Sequence, residues 1–185
     1  MLEDKYKQIK EKMQKTTDLL ALELSKIRTA RANPAILDEV KVNYYGSLVP
    51  LKQIAAISAP EPRMLVVQPW DRNVISEIEK AILKAEIGLN PQAEANLIRI
   101  PIPPLTEERR KELVKLCAKL AEDTKIAIRN IRREGNEQIK KLEKDKEISE
   151  DDSRIAIKKI QDFTDEFIKK IDTLLQNKEK EILEK

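Results

Sequence analysis

The sequence has no histidine, one cysteine, three glycines and few aromatic side chains. Each shortage closes off a class of function. Without histidine the chain lacks the commonest general base and metal ligand. Cys117 alone cannot assemble a thiolate zinc site, and no imidazole is present to activate it. Its place beside Leu116 on a helical stripe marks it as a small buried apolar side chain. A single cysteine also excludes an intramolecular disulfide framework and suits a reducing compartment. Gly46, Gly88 and Gly135 stand apart from one another, so no phosphate-cradling loop is formed. Aromatics at 3% of the chain do not make a stacking platform for single-stranded RNA; Tyr44, Tyr45 and Trp70 are expected to pack in the core or on a domain surface, with contact to a partner as the second reading. No apolar run approaches the roughly 18 residues of a membrane span, and the N-terminus is charged, unlike a signal peptide. The expected protein is soluble, cytoplasmic and non-catalytic, with no catalytic residue, metal, cofactor or membrane partner.

What the sequence does contain is charge. Charged residues make up 37% of 185 positions, yet 36 basic and 33 acidic side chains leave a net +3. Such a composition favours long solvated helices, and the arrangement of charge matters more than its sum. Residues 2–28 repeat apolar side chains at Leu2, Tyr6, Ile9, Met13, Leu20, Leu24 and Ile27, with Thr16 filling the gap, which predicts a helix with one narrow apolar stripe. A second pattern opens at Thr106, a suitable N-cap, with Glu107 and Glu108 placed for the helix dipole. It continues through Leu113, Leu116, Leu120, Ile128, Ile131, Ile139 and Leu142 without a proline. Gly135 is its weak point, costing about 1 kcal/mol against alanine. Ser149 followed by Glu150, Asp151 and Asp152 signals a third start, and Ile157, Ile160, Phe167, Ile171, Leu174 and Ile182 carry that helix onward. Three such stripes bury one another as an antiparallel bundle.

Between the first two helices the pattern changes. Val40, Val42 and Tyr44 alternate with polar neighbours before Gly46-Ser47, predicting a strand and a turn. The runs 54–57 and 64–67 and the segment 97–100 predict further strands. Asp71 can cap a helix through Val74, Ile75, Ile78, Ile82 and Ala85, with Gly88 as its stop. All nine prolines fall between Pro34 and Pro104. The predicted class is α+β: a long antiparallel three-helix bundle from residues 1–30 and 106–185, with a small β/α/β domain of residues 31–105 inserted. The insert has eight basic and eight acidic residues, so the excess charge sits on the bundle. Two connectors join the domains, at Thr29, Ala30, Arg31 and Ala32 and at Pro104, Leu105 and Thr106, and a hinge is expected there.

The candidate site is Arg129-Asn130-Ile131-Arg132-Arg133, midway along the second bundle helix. Lys125, Arg129 and Arg132, spaced by four and three, fall on one helix face. Arginine offers a planar, permanently charged fork that matches phosphate oxygens. The positions four residues either side supply little acid: Arg129 has Lys125 and Arg133, and Arg132 has Ile128 and Asn136. Arg28 and Arg31 flank the first connector and Arg109-Arg110-Lys111 follow the second, where capping a carbonyl competes with binding as their role.

The sequence resembles the bacterial ribosome recycling factor family over essentially its whole length. The resemblance rests on six stretches in order: 27–34 (Ile27-Arg28-Thr29-Ala30-Arg31-Ala32-Asn33-Pro34), Tyr44-Tyr45-Gly46, Pro69-Trp70-Asp71, Gly88-Leu89-Asn90-Pro91, 103–110 (Pro103 to Arg110) and 129–133. Two positions depart from the family pattern: Ala30 stands where glycine is usual, and Glu134-Gly135-Asn136 replaces an alanine-containing segment. The resemblance implies a roughly L-shaped molecule similar in outline to transfer RNA. It implies a monomer that acts on the 70S post-termination complex and separates the subunits together with elongation factor G and the GTP hydrolysis of that partner. It also implies contact between the bundle and large-subunit ribosomal RNA, with Arg129, Arg132 and Arg133 matching the main motif, and Arg28 and Arg31 nearby. A rival reading from the residues alone is a helical adaptor whose apolar stripes bind other proteins.

Overall fold

In the computed structural model, which describes residues 2–184, the chain divides into two compact units. One comprises the chain through Ile27 together with Glu107–Glu184; the other is Arg28–Thr106. The division falls before Arg28, so Arg28, Thr29 and Ala30 go with the small unit rather than with the first helix. Two hydrogen bonds tie that stretch down: the Arg28 guanidinium donates to the Ile87 carbonyl at 3.1 Å, and the Ala32 amide donates to the Pro62 carbonyl at 2.6 Å.

The larger unit contains α1 (Leu2–Lys26), α3 (Glu107–Lys144) and α4 (Glu150–Leu183). At ~1.5 Å per residue, α3 is about 57 Å long. Its start carries Glu107 and Glu108 in the first turn, where carboxylates complement the helix dipole. Ser149 caps α4 through a full capping box: its hydroxyl accepts from the Asp152 amide, and the Asp152 carboxylate accepts from the Ser149 amide. Two orphan donors are thereby satisfied at the turn after α3.

The stripes meet as the spacing predicts, with informative differences. Buried positions on α1 are Tyr6, Ile9, Met13, Thr17, Leu20 and Leu24. Thr17, not Thr16, fills the polar gap, and its hydroxyl donates to the Met13 carbonyl at 2.9 Å. On α3 the buried set is Leu113, Cys117, Ala121, Ile128, Gly135 and Ile139, while Leu116 is exposed. Small residues hold three of these six inner positions, and at one of them the close approach is explicit. At Gly135 an added Cβ would lie 2.8 Å from Ile9 Cδ1. The glycine expected to weaken α3 is instead the socket for an α1 side chain, and α3 runs through it unbroken. Among the described residues, no helix is long and apolar enough to cross a membrane.

The small unit contains β1 (Lys41–Tyr44) and β2 (Ser47–Pro50), paired antiparallel as a hairpin. It continues with β3 (Ala55–Glu61), β4 (Met64–Pro69), α2 (Ile75–Lys84), β5 (Gln92–Ala93) and β6 (Ile98–Pro101). The second sheet is antiparallel in the order β3-β4-β6-β5. Val42, Leu65, Val67, Ile78, Ile82, Ile98 and Ile100 meet in one core. Two local expectations shift. Asp71 caps a 3-10 turn, Arg72–Val74, which leads into α2. The helix then ends at Lys84, well before Gly88, because Glu86 itself takes a left-handed conformation with φ 52°. The hairpin turn puts both Tyr45 (φ 48°) and Gly46 (φ 90°) in that region, as a two-residue type I′ loop requires.

Candidate nucleic-acid interface

The motif residues all lie on α3, but they do not form one uniform row. Lys125, only 18% exposed at its side chain, pairs with Asp172 of α4 at 2.6 Å. Arg132 is half-buried and donates to Gln161 Oε1 of α4 at 2.9 Å. The Gln161 amide in turn donates to Asp165 at 2.8 Å, so the Arg132 guanidinium is aimed by a short relay across the α3/α4 seam. Arg129 pairs with Glu122, two turns earlier on α3, at 3.0 Å. Arg133 is exposed, with no hydrogen bond or ion pair among the described residues. The reading that these cations have little acid near them is therefore corrected. Their partners sit seven residues back on α3 or on α4, outside the window of four residues.

These partners leave the site able to bind anions. A guanidinium has five donors, so one bond to Gln161 or Glu122 leaves others to present. An exposed pair such as Arg129–Glu122 contributes about 0–1 kcal/mol, and a phosphate competes for it readily. Lys125 differs. Its ammonium is withdrawn into the seam, where it holds α4 against α3.

The cations near the connectors have local ties. Arg28 donates to the Ile87 carbonyl within the small unit. Arg31 is exposed, and its backbone amide donates to Thr29 Oγ1 at 3.4 Å. Arg109 pairs with Glu112 at 2.8 Å. Arg110 donates to the carbonyl of Leu183, the last residue of α4, at 3.4 Å, a contact suited to a helix C-terminus. Cys117 is fully buried, and burial pushes its thiol pKa up, away from the reactive thiolate.

On the small unit, Trp70 is 70% exposed and Tyr45 71%, so neither lies in the core. Tyr45 sits at the hairpin tip, its ring edge-on to Tyr44 and its hydroxyl donating to Asp71 at 2.5 Å. That bond holds the Asp71 carboxyl below the ordinary range and raises the Tyr45 phenol above its own. Trp70 follows β4 on the outward side of the alternation that buries Leu65, Val67 and Pro69. A period-two count from Val67 would have revealed it.

A model of the family described as ribosome recycling factor matches residues 20–183. The chain belongs to the ribosome recycling factor family. A ribosome-recycling factor of Acetivibrio thermocellus is 54% identical over 181 residues, 98% of this chain and 99% of its own. That of Sorangium cellulosum is 50% identical over the full length of both. Among solved structures, a solution structure of a ribosome recycling factor aligns with a TM-score of 0.74 at 45% identity, covering 98% of this chain and 97% of its own. A second, of the T. thermophilus ribosome recycling factor with E. coli elongation factor G bound to the E. coli post-termination complex, aligns over all of both chains with a TM-score of 0.65 at 50% identity. The ribosome recycling factor fold is thus shared along the whole chain, including the α3 segment that bears the arginines.

Proposed function

We propose that this chain is a translation factor that disassembles the post-termination ribosomal complex, splitting the subunits together with elongation factor G. The observation that carries this reading is full-length identity of about one half to ribosome-recycling factors. It is joined by likeness to such a factor solved with elongation factor G on a post-termination complex. The chain acts in the cytoplasm as a monomer and catalyses no reaction itself; GTP hydrolysis by elongation factor G supplies the free energy. This non-catalytic reading rests on the missing histidine and on a single cysteine whose thiol is buried and protonated.

The bundle's grip is electrostatic. Arg129, Arg132 and Arg133 contact phosphates of large-subunit ribosomal RNA, which gives affinity without sequence readout. Lys125 fixes the seam behind them, and Arg28 and Arg31 add charge on the small unit. Thr29, Ala30 and Arg31, with Pro104, Leu105 and Thr106, form the hinge in this proposal, since two connectors permit bending while limiting free tumbling.

Purified post-termination complexes, mixed with the chain, elongation factor G and GTP, should separate into subunits on a gradient. GTP consumption by the chain alone would overturn the reading. In a gradient with large subunits the chain should co-sediment, whereas an adaptor for other proteins would stay at the top. Arg132→Ala should weaken large-subunit binding and flatten its salt dependence by about one unit of slope, with helical content unchanged.

A further inference from the structure

Arg132 is anchored differently from the other motif cations. Lys125 and Arg129 meet carboxylates, of Asp172 at 2.6 Å and of Glu122 at 3.0 Å, so their charge is opposed at the point of contact. Arg133 is exposed, with nothing among the described residues to hold it. Arg132 Nη1 donates instead to a neutral acceptor, Gln161 Oε1, at 2.9 Å across the α3/α4 seam. The other end of the same carboxamide, Nε2, donates to Asp165 Oδ1 at 2.8 Å, one turn further along α4. A guanidinium can only donate and an ionised carboxylate can only accept, so both neighbours select the same orientation of the amide. Asp165 locks the amide, the amide holds the guanidinium, and the negative charge stays one residue removed from Arg132.

We propose that Gln161 and Asp165, on a helix that bears none of the motif, are positioning residues for Arg132, fixing its fork without neutralising it. The inference rests on the ribosomal reading above, in which Arg132 meets phosphate, and adds two α4 side chains to what that contact needs. An amide rather than an acid at 161 is what the chemistry requires. A glutamate there would reach the same donor, but its charge-assisted pair would compete with phosphate for the guanidinium. An apolar residue would leave the arginine to lose its rotamer freedom on binding, which lowers affinity. With Nη1 engaged by Gln161, the other guanidinium N–H groups remain for phosphate oxygens. The relay therefore combines a held geometry with an unopposed charge, which the Lys125 and Arg129 pairs do not.

The test is a titration with large ribosomal subunits over a series of salt concentrations, using Gln161→Ala, Gln161→Glu, Asp165→Ala and Arg132→Ala. Gln161→Ala should weaken binding about three- to tenfold, as expected for ordering one long side chain. It should keep the slope of log affinity against log salt, because no charge is lost. Gln161→Glu should weaken binding further and flatten that slope by about one unit. Asp165→Ala gives opposite signs: removing a negative charge near a phosphate site tightens binding by charge counting, whereas losing the lock loosens it. On the Arg132→Ala background neither Gln161→Ala nor Asp165→Ala should weaken binding again; a loss that persists there would assign them to packing of α4 and overturn the proposal. If Arg132→Ala weakens binding and the α4 variants do not, the proposal fails and the ribosomal reading stands. If Arg132→Ala binds as the wild type does, the Arg132 contact and its positioning fail together. A second arm needs no ribosome: side-chain NMR of the free chain should resolve the Arg132 Nη protons through slowed rotation. They should average in Gln161→Ala and Asp165→Ala, with Arg133 averaged throughout. Averaged Arg132 signals in the wild type would overturn the proposal.

Discussion

In the bundle, burial follows steps of three and four along each helix, and on α3 the buried places alternate between Leu113, Ile128 and Ile139 and the small Cys117, Ala121 and Gly135. In the small unit, branched apolar side chains from β1, β4, β6 and α2 converge on one compact core. The first arrangement gives a thin core and a long flank; the second encloses more of its apolar surface in fewer residues. Charge follows the same division, since residues 31–105 are neutral and the positive excess lies on the bundle. The lesson is that burial and display are assigned to different units.

The largest effect that could break this comparison is in the bundle. Phe167 is fully buried, and Phe167→Ala should cost about 3–5 kcal/mol. Amide exchange should quicken in α1, α3 and α4 while β4 and β6 keep their protection. Equal acceleration in both units would show that the two cores are one cooperative body.

A sharper probe concerns the socket at Gly135. Gly135→Ala gains about 1 kcal/mol of helix propensity but drives a methyl against Ile9 Cδ1. Ile9→Val removes that atom at a cost of about 0.5–1.5 kcal/mol. Denaturant unfolding of the two singles and the double should show favourable coupling of at least about 0.5 kcal/mol. Strict additivity would mean that the glycine is not there to admit Ile9.

The smallest expected effect is in the small unit, at the Tyr45–Asp71 bond. The depressed carboxyl makes its contribution present above its ordinary value and lost as pH falls through the lowered one. The raised phenol makes its contribution present below its ordinary value and lost as pH rises through the raised one. Both groups are exposed, so the changes are slight. Tyr45→Phe should remove both limbs from the stability profile of the small unit and leave that of the bundle untouched; persistence of the acid limb would assign it to another carboxylate.

Much of this was legible in the chain. Ser149 and Asp152 announced the start of α4, and stripes containing Ile9, Ile128 and Phe167 named true core positions. What escaped was of three physical kinds. Apolar counting favours large residues, so it put Leu116 on the stripe and passed over Ala121, although it placed Cys117 inside. Local spacing cannot see across helices, so Asp172 and Gln161 were invisible as partners of Lys125 and Arg132. Non-glycine residues that adopt left-handed backbone, Tyr45 and Glu86, moved a helix end and an exposed ring that turn signals had placed elsewhere.

Because α3 passes through Gly135 unbroken and without a proline, its backbone hydrogen-bond ladder runs from Glu107 to Lys144, and any bending is shared over that whole length.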